Sequence, residues 1–415
     1  MSTVERPGKI ARPVLLIAGI LLIAASLRAP FTSVAPVLGM IRESFSLGTA
    51  EAGLLTTLPI LAFAAVSPFA VLIARAYGME RSLFGALLLL VAAIAVRSSG
   101  PAWCLYLGTA GIGAGIAVCN VLLPSLLKRD FPHRVAALTG AYAVTSGATA
   151  ALASAIVVPL AGRPGLGGPD LGWQGALGLL AILPLAAMAM WLPQLGGHSA
   201  PVKGVAGSSP GGAIWHSSLA WQVSLLMGLN SFIYYVVIGW LPAILVDAGY
   251  SPVQAGSLHG VMQLATAVPG LLLAAVVGRL RDQRAITVGM SAIAALSLAG
   301  LLLMPRAGAV WAALFGFGSG GTFMLGLSFM SLRAATAPQA AALSGMAQCV
   351  GYLFAASGPA LVGALHDRLG GWSAALGLCA ALCLAMAGCG LLAGRAIQIG
   401  AFRAHPAQAP QRAAQ

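Results

Sequence analysis

Val14-Leu-Leu-Ile-Ala-Gly-Ile-Leu-Leu-Ile-Ala-Ala-Ser-Leu-Arg28-Ala-Pro-Phe-Thr-Ser-Val-Ala-Pro-Val-Leu-Gly-Met40 is an apolar run with one arginine near its middle. As a helix rising about 1.5 Å per residue it covers roughly 40 Å, enough to cross a ~30 Å hydrocarbon core with some tilt. Arg28 has mostly apolar residues on both sides, so its guanidinium cannot snorkel to an interface. A charge at that depth costs about 2.5–3.5 kcal/mol on insertion scales, and such a residue faces a bundle interior or a watery cavity where its charge finds a partner. All nine acidic residues (Glu5, Glu43, Glu51, Glu80, Asp130, Asp170, Asp247, Asp282, Asp367) fall in loops or at span ends. None is deep enough to serve. The missing counter-charge points to an anionic substrate.

The rest of the composition agrees with a chain made for lipid. Hydrophobic residues make up 59% and charged residues 7%, too little charge to cover a soluble protein of this length, so the chain reads as polytopic and all-α. A net charge of +13 would suggest nucleic acid in a soluble protein. In a membrane protein it reflects lysine and arginine gathered in cytoplasmic loops, and no nucleic-acid partner is expected. The N-terminus (Arg6, Lys9, Arg12, then apolar residues) imitates a signal peptide, but its apolar run is too long and lacks a cleavage site, so it reads as a retained first helix. The six cysteines all lie inside apolar spans. Cys379 and Cys383 share a helix face with no His or acid beside them, which favours packing over metal, and no disulfide framework, metal or cofactor is implied.

Working outward, apolar runs follow near 51–74, 82–99, 102–127, 135–161 and 174–192, then near 218–245, 252–278, 285–304, 310–332, 339–365 and 373–394. Twelve spans therefore fall in two sixes. Residues 1–192 form the first bundle, the Gly/Ser/Pro-rich stretch 193–217 a linker, 218–394 the second bundle and 395–415 a polar tail. With the N-terminus inside, sixteen of the 22 lysines and arginines fall in inner segments and five in outer ones, with Arg28 within the bilayer. Both termini and the linker are therefore expected in the cytoplasm.

The two sixes repeat each other. Gly172-Trp173-Gln-Gly-Ala-Leu177-Gly178-Leu179 returns as Gly371-Trp372-Ser-Ala-Ala-Leu376-Gly377-Leu378. Ala136-Ala137-Leu138-Thr139-Gly140 returns as Ala341-Ala342-Leu343-Ser344-Gly345, and Glu51-Ala52-Gly53 as Gln254-Ala255-Gly256. Duplicating an even number of spans keeps both halves in one orientation, giving parallel repeats about the membrane normal with a substrate site near the midplane between them. That is the architecture of major facilitator transporters.

Polar residues within the spans are the candidate site. They are Arg28 in the first, Asn120 in the fourth, Asn230 and Tyr234 in the seventh, His259 with Gln263 one turn later in the eighth, and Gln348 with Tyr352 in the eleventh. Asn120 lines a cavity or makes an interhelical hydrogen bond. His259, the one histidine within a span, leaves protons open as a partner, although a lone histidine is more often neutral and hydrogen-bonded. Asn230 lies near the repeat-equivalent of Arg28, so the charge is one-sided. Gly111, Gly113 and Gly115 lie within a span with no strand before them, which excludes a nucleotide loop and favours close helix packing. Two inner loops, Ala74-Arg75-Ala-Tyr-Gly78-Met-Glu80-Arg81 and Gly278-Arg279-Leu-Arg281-Asp282-Gln-Arg284, look like eroded copies of the facilitator loop signature Gly-x-x-x-Asp-Arg-x-x-Gly-Arg-Lys/Arg. Ala74 stands where the signature has its Asp. Arg75, Arg81 and Arg279 are the candidate gating residues, against the plainer role of topology charges.

Three further stretches carry a family resemblance: Leu27-Arg28-Ala-Pro30-Phe-Thr-Ser-Val-Ala-Pro36, Ala52-Gly53-Leu54-Leu55-Thr56-Thr57-Leu58-Pro59, and Asn120-Val-Leu-Leu-Pro124-Ser-Leu-Leu-Lys128-Arg129-Asp130-Phe131-Pro132. The chain resembles the cyanate and 2-nitroimidazole transporter family of the major facilitator superfamily from about residue 13 to 394, most densely in its first half. Relatives often read Asn-Leu-Arg where this chain has Ser26-Leu27-Arg28. The resemblance implies a bacterial inner-membrane transporter of a small anion or small polar heterocycle, working by alternating access without ATP; a monomer is favoured. The alternative transport reading, an exporter of neutral or cationic drugs, lacks the Gly-Pro-x-x-Gly-Gly end of the fifth span and any intramembrane acid. A polytopic enzyme would need convergent catalytic groups, which the polar inventory does not contain.

Overall fold

Hydrocarbon offers no partner for a backbone amide, so a chain this apolar must satisfy its amides within helices. The computed structural model describes residues 13–131, 134–162, 170–196, 212–280 and 282–399. Among the described residues there is no β-strand, and 12 helical segments are long and apolar enough to cross a membrane. The first six are Val14–Phe45, Thr49–Ala70, Met79–Arg97, Ala102–Asp130, Ala137–Ala161 and Gly172–Gly196. The second six are Ser218–Asp247, Pro252–Leu273, Arg284–Leu303, Pro305–Leu332, Ala342–Leu369 and Ser373–Ala393. All twelve expected spans are present, with ends shifted by a few residues. Pro132 and Arg281, most of the 193–217 linker and the tail beyond 399 lie outside the described residues. What is described of the linker is a 3-10 stretch, Leu192–Gly196, and one helical turn, Gly212–Trp215.

An even number of crossings brings Pro13 and Ala393 to the same end of the bundle, here called the near end; Thr49, Asp247 and Trp372 mark the far end. The first half has its own apolar core, built on residues such as Ile20, Leu83, Leu87, Leu123 and Trp191. The second core crosses the boundary at the far end, joining Val37, Ile41 and Val158 to Phe232, Trp240 and Leu245.

Glycines let the halves touch there. A Cβ on Gly53 would lie 2.8 Å from the Pro359 carbonyl oxygen, one on Gly260 2.6 Å from that of Ala151, and one on Gly256 2.8 Å from that of Ser154. At the near end, Gly140 and Gly345, the matched glycines of the repeat, have no atom within 4 Å of such a Cβ. Among the described residues, the hydrogen bonds between the halves run only from the middle of the bundle to the far end.

The first span departs from one continuous helix. Its α-helix Pro13–Thr32 ends, a 3-10 turn spans Ala35–Val37, and Leu38–Phe45 resumes the helix. Pro36 has no N–H to offer the Thr32 carbonyl, so the ladder cannot continue through it. The amide of Val34 turns back to Phe31 at 3.4 Å, which leaves the Pro30 carbonyl without its helical donor. The repeat counterpart, Ser218–Asp247, runs unbroken in spite of Pro242.

Candidate functional site

Arg28 sits one turn before the break in the first span, half-buried, on the side facing the second half. Its Nη2 donates to the Tyr234 hydroxyl and reaches Gln263 Oε1 at 3.4 Å. The Tyr234 hydroxyl in turn donates to Gln263 Oε1 at 2.9 Å. No carboxylate takes part. Two neutral side chains of the second half thus satisfy part of a charge carried by the first, and the guanidinium lies 5.9 Å from the Tyr234 ring centroid. Gln263 is fully buried, and its Nε2 has no hydrogen-bond partner. An unmet buried donor costs about 1–3 kcal/mol, so the cluster holds donor capacity that the protein itself does not use.

Aromatic rings surround this polar centre. Tyr235 packs edge-on to Tyr234 at 5.5 Å and to Phe31 of the first half at 5.9 Å. Tyr352 and Phe63 meet across the boundary at 4.6 Å.

The other expected site residues are placed as follows. Asn120 accepts from the Tyr142 hydroxyl at 2.6 Å, within the first half. Asn230 is buried and accepts from Ser319 at 3.2 Å, within the second. Gln348 is exposed and donates to Ser344 at 2.9 Å. His259 is fully buried, with Nε2 3.0 Å from the Ile238 carbonyl and Nδ1 3.1 Å from Ser154 Oγ. A carbonyl only accepts, so Nε2 carries a proton, and in the neutral ring Nδ1 then accepts from the serine. The neutral ring thereby links the eighth span to the fifth. The structure brings together Arg28, Tyr234 and Gln263, with Tyr352 on the neighbouring wall. Asn120, Asn230, His259 and Gln348 have other partners.

At the near end, Arg75, Arg81 and Arg279 are exposed, and none makes an ion pair among the described residues. The bonds there belong to other side chains. Arg129 pairs with Glu80 and with Asp130, each at 2.6 Å. In the second half Arg333 donates to the Ala393 carbonyl at 2.8 Å, to that of Gly394 at 3.1 Å and to Gln283. In the loop after the eighth span, the hydrogen bond from Arg284 holds the Asp282 carboxyl below its usual range. Sequence reading missed Phe31 and Ser154, which carry no charge to draw notice, and read Arg97 as one loop charge among many.

The twelve helical segments agree with what the comparisons with known proteins find. Residues 14–356 fit the model of the Major Facilitator Superfamily. The chain belongs to that family. It is 56% identical over 382 residues to the 2-nitroimidazole transporter of Escherichia coli (strain K12), covering 92% of this chain and 96% of that one. Its likeness to the cyanate transport protein of the same organism is more distant, 26% over 355 residues, covering 85% and 90%. Among solved structures, a bacterial homologue of the human lysosomal transporter Spinster superposes with a TM-score of 0.69 at 19% identity, over 93% of each chain. This facilitator is thus a multi-pass membrane transporter of a small molecule and not an enzyme.

Proposed function

We propose that this facilitator carries a small planar solute with paired acceptor oxygens, a small anion or a small polar heterocycle of the 2-nitroimidazole kind, across the bacterial inner membrane by alternating access. The observation that carries the reading is Arg28. It is a guanidinium at the boundary of the halves, met by two neutral partners, beside a buried amide donor with nothing to bind. A carboxylate or nitro group offers two coplanar oxygens, the shape that a guanidinium grips at two points. The 56% identity to the 2-nitroimidazole transporter favours the heterocycle within that class.

In this reading residues 1–192 and 218–394 are the rocking halves, and 193–217 is the cytoplasmic linker. Both termini are cytoplasmic, the far end is periplasmic, and the tight far seam makes this the inward-facing state. Tyr352 is the aromatic neighbour of Arg28, Tyr234 and Gln263, and Asn120, Asn230, His259 and Gln348, which hold other partners in this state, are candidates to meet the solute in another. Arg75, Arg81 and Arg279, exposed and without an ion pair among the described residues, are the groups that meet partners when the near end closes.

The test is counterflow of labelled 2-nitroimidazole and labelled benzoate in proteoliposomes, with parent and Arg28→Ala side by side. The variant folds, since removing an intramembrane charge relieves its insertion cost, and it loses transport of whichever solute the parent carries. Transport by Arg28→Ala at the parental rate would place the site elsewhere.

A further inference from the structure

Arg97 ends the third span and was counted above with the loop charges. In the fold it is 1% exposed. Among the described residues it makes no ion pair; Nη1 donates to the Pro30 carbonyl at 2.6 Å, and Nη2 reaches the Leu177 carbonyl at 3.5 Å. Its Nε is buried without a partner. The Pro30 carbonyl is the one that the break in the first span strips of its helical donor. Arg97 therefore supplies from another span the hydrogen bond that the helix lost. Its positive charge also lies at the C-terminal, partly negative end of the Pro13–Thr32 helix, where a cation is favoured.

Close packing holds Arg97 in that place. A Cβ on Gly108 of the fourth span would lie 2.4 Å from the Arg97 amide nitrogen and 2.6 Å from its Cβ, so that position must be glycine for the two backbones to approach. The Leu177 carbonyl lies just before the 3-10 turn Leu179–Ala181 that interrupts the sixth span. One guanidinium thus ties the first, third and sixth spans together while the fourth closes over it. Among the described residues the second half has no arginine at the matching place; its buried Arg333 caps the end of the twelfth span instead. Its seventh span is unbroken, and the third-span equivalent ends in apolar Gly300-Leu-Leu-Leu303. The first half has both the cation and the break at this place, and the second half has neither.

We infer that Arg97 is a positioning residue: it pins the broken end of the first span, and so fixes the angle at which Arg28, two residues before Pro30, presents its fork to the solute. The inference rests on Arg28 being the solute contact. A buried charge with no counter-ion is costly to keep, and a neutral side chain would brace the bundle more cheaply. What Arg97 adds is a rigid capped end two residues from the site. A fork displaced by even 1 Å loses much of its grip.

Three measurements on the full chain test this. First, Arg97→Met raises the KM for 2-nitroimidazole about tenfold with the maximal rate within about twofold, because the loosened fork weakens binding without touching the rocking step. Arg97→Lys, which keeps one donor and the charge, recovers part of that loss and guards against a variant that fails to fold. Second, on the Arg28→Ala background Arg97→Met causes no further loss of 2-nitroimidazole binding, as expected of a residue that acts through Arg28. Third, a thiol introduced by Ser33→Cys, buried within the break, is alkylated slowly with Arg97 present and faster in Arg97→Met, a readout that needs no solute. A lowered melting temperature with parental KM, unchanged alkylation, or additive losses in the double variant would each reduce Arg97 to a brace and overturn the inference. Parental transport by Arg28→Ala would instead overturn the site reading, and with it the claim that Arg97 serves that site, while the alkylation result would still report on the clamp.

Discussion

Gly260→Ala puts the packing of the halves to a quantitative test. Glycine in mid-helix is destabilising by about 0.5–1 kcal/mol relative to alanine, so the substitution would stabilise the eighth span if nothing stood in the way. Here the new Cβ would lie 2.6 Å from the Ala151 carbonyl oxygen and 3.3 Å from its carbon, both backbone atoms of the opposite half. Neither is the end of a flexible side chain, so the halves must separate at that point, at a cost of about 1–3 kcal/mol for an overpacked contact. The cost falls only on the state closed at the far end. Its ratio to the open state should therefore drop about 5- to 150-fold, each 1.4 kcal/mol being a factor of about ten. The assay is alkylation of a thiol introduced by Thr56→Cys in a background without the six native cysteines. Thr56 is buried, and its hydroxyl lies 3.2 Å from where a Cβ on Gly239 of the other half would be. Impermeant maleimide should reach that thiol several times faster in Gly260→Ala. The control is Gly377→Ala, whose Cβ would meet nothing within 4 Å and which should leave the rate unchanged. Parental alkylation and parental transport in Gly260→Ala would refute the claim that the halves close through this glycine.

Arg28→Lys keeps the charge but loses the planar fork; with about one charge-assisted hydrogen bond gone, worth about 1.5–3 kcal/mol, solute binding measured by thermal shift should weaken about 10- to 150-fold. His259→Gln should change affinity modestly and leave the pH profile of transport unaltered, because both ring nitrogens are engaged in the neutral form; a profile flattened by this one change would make His259 the coupled proton carrier. On the proposed orientation, in which the linker is cytoplasmic as the positive-charge count expects, a thiol introduced by Ser208→Cys should resist an impermeant reagent added outside intact cells; efficient labelling would invert every loop.

The fold was legible in the sequence because lipid imposes one rule on every crossing segment. Twelve apolar runs and an even repeat follow from counting, and the structure moves their ends by only a few residues. Arg28 was legible for a related reason: a lone charge in hydrocarbon has no bland surface explanation. Its partners were not. Tyr234 and Gln263 lie 206 and 235 residues further along the chain, and which face of each helix turns to the boundary is set by packing between spans, which periodicity in a uniformly apolar helix does not record. Asn230 shows the limit. It sits one turn before Tyr234 and near the repeat-equivalent of Arg28, yet its amide is spent on Ser319 within its own half.

Arg97 was hidden by the same rule that exposed Arg28. At the end of a span a cation is ordinary, and only the break between Pro30 and Pro36 marks this one as different. Those two prolines were in plain view, but a run of apolar residues long enough to cross the membrane gave no reason to doubt that the helix was continuous. The two halves repeat in sequence while the polar work is divided unequally between them. The first half supplies a broken helix with a cation at its free carbonyl and a second cation one turn earlier. The second supplies an unbroken seventh span with the Tyr234 hydroxyl, and the Gln263 amide from the eighth, to meet it. Divergence of the copies gives the boundary two unlike sides, and here it lies in the first and third spans of one half against the seventh and eighth of the other.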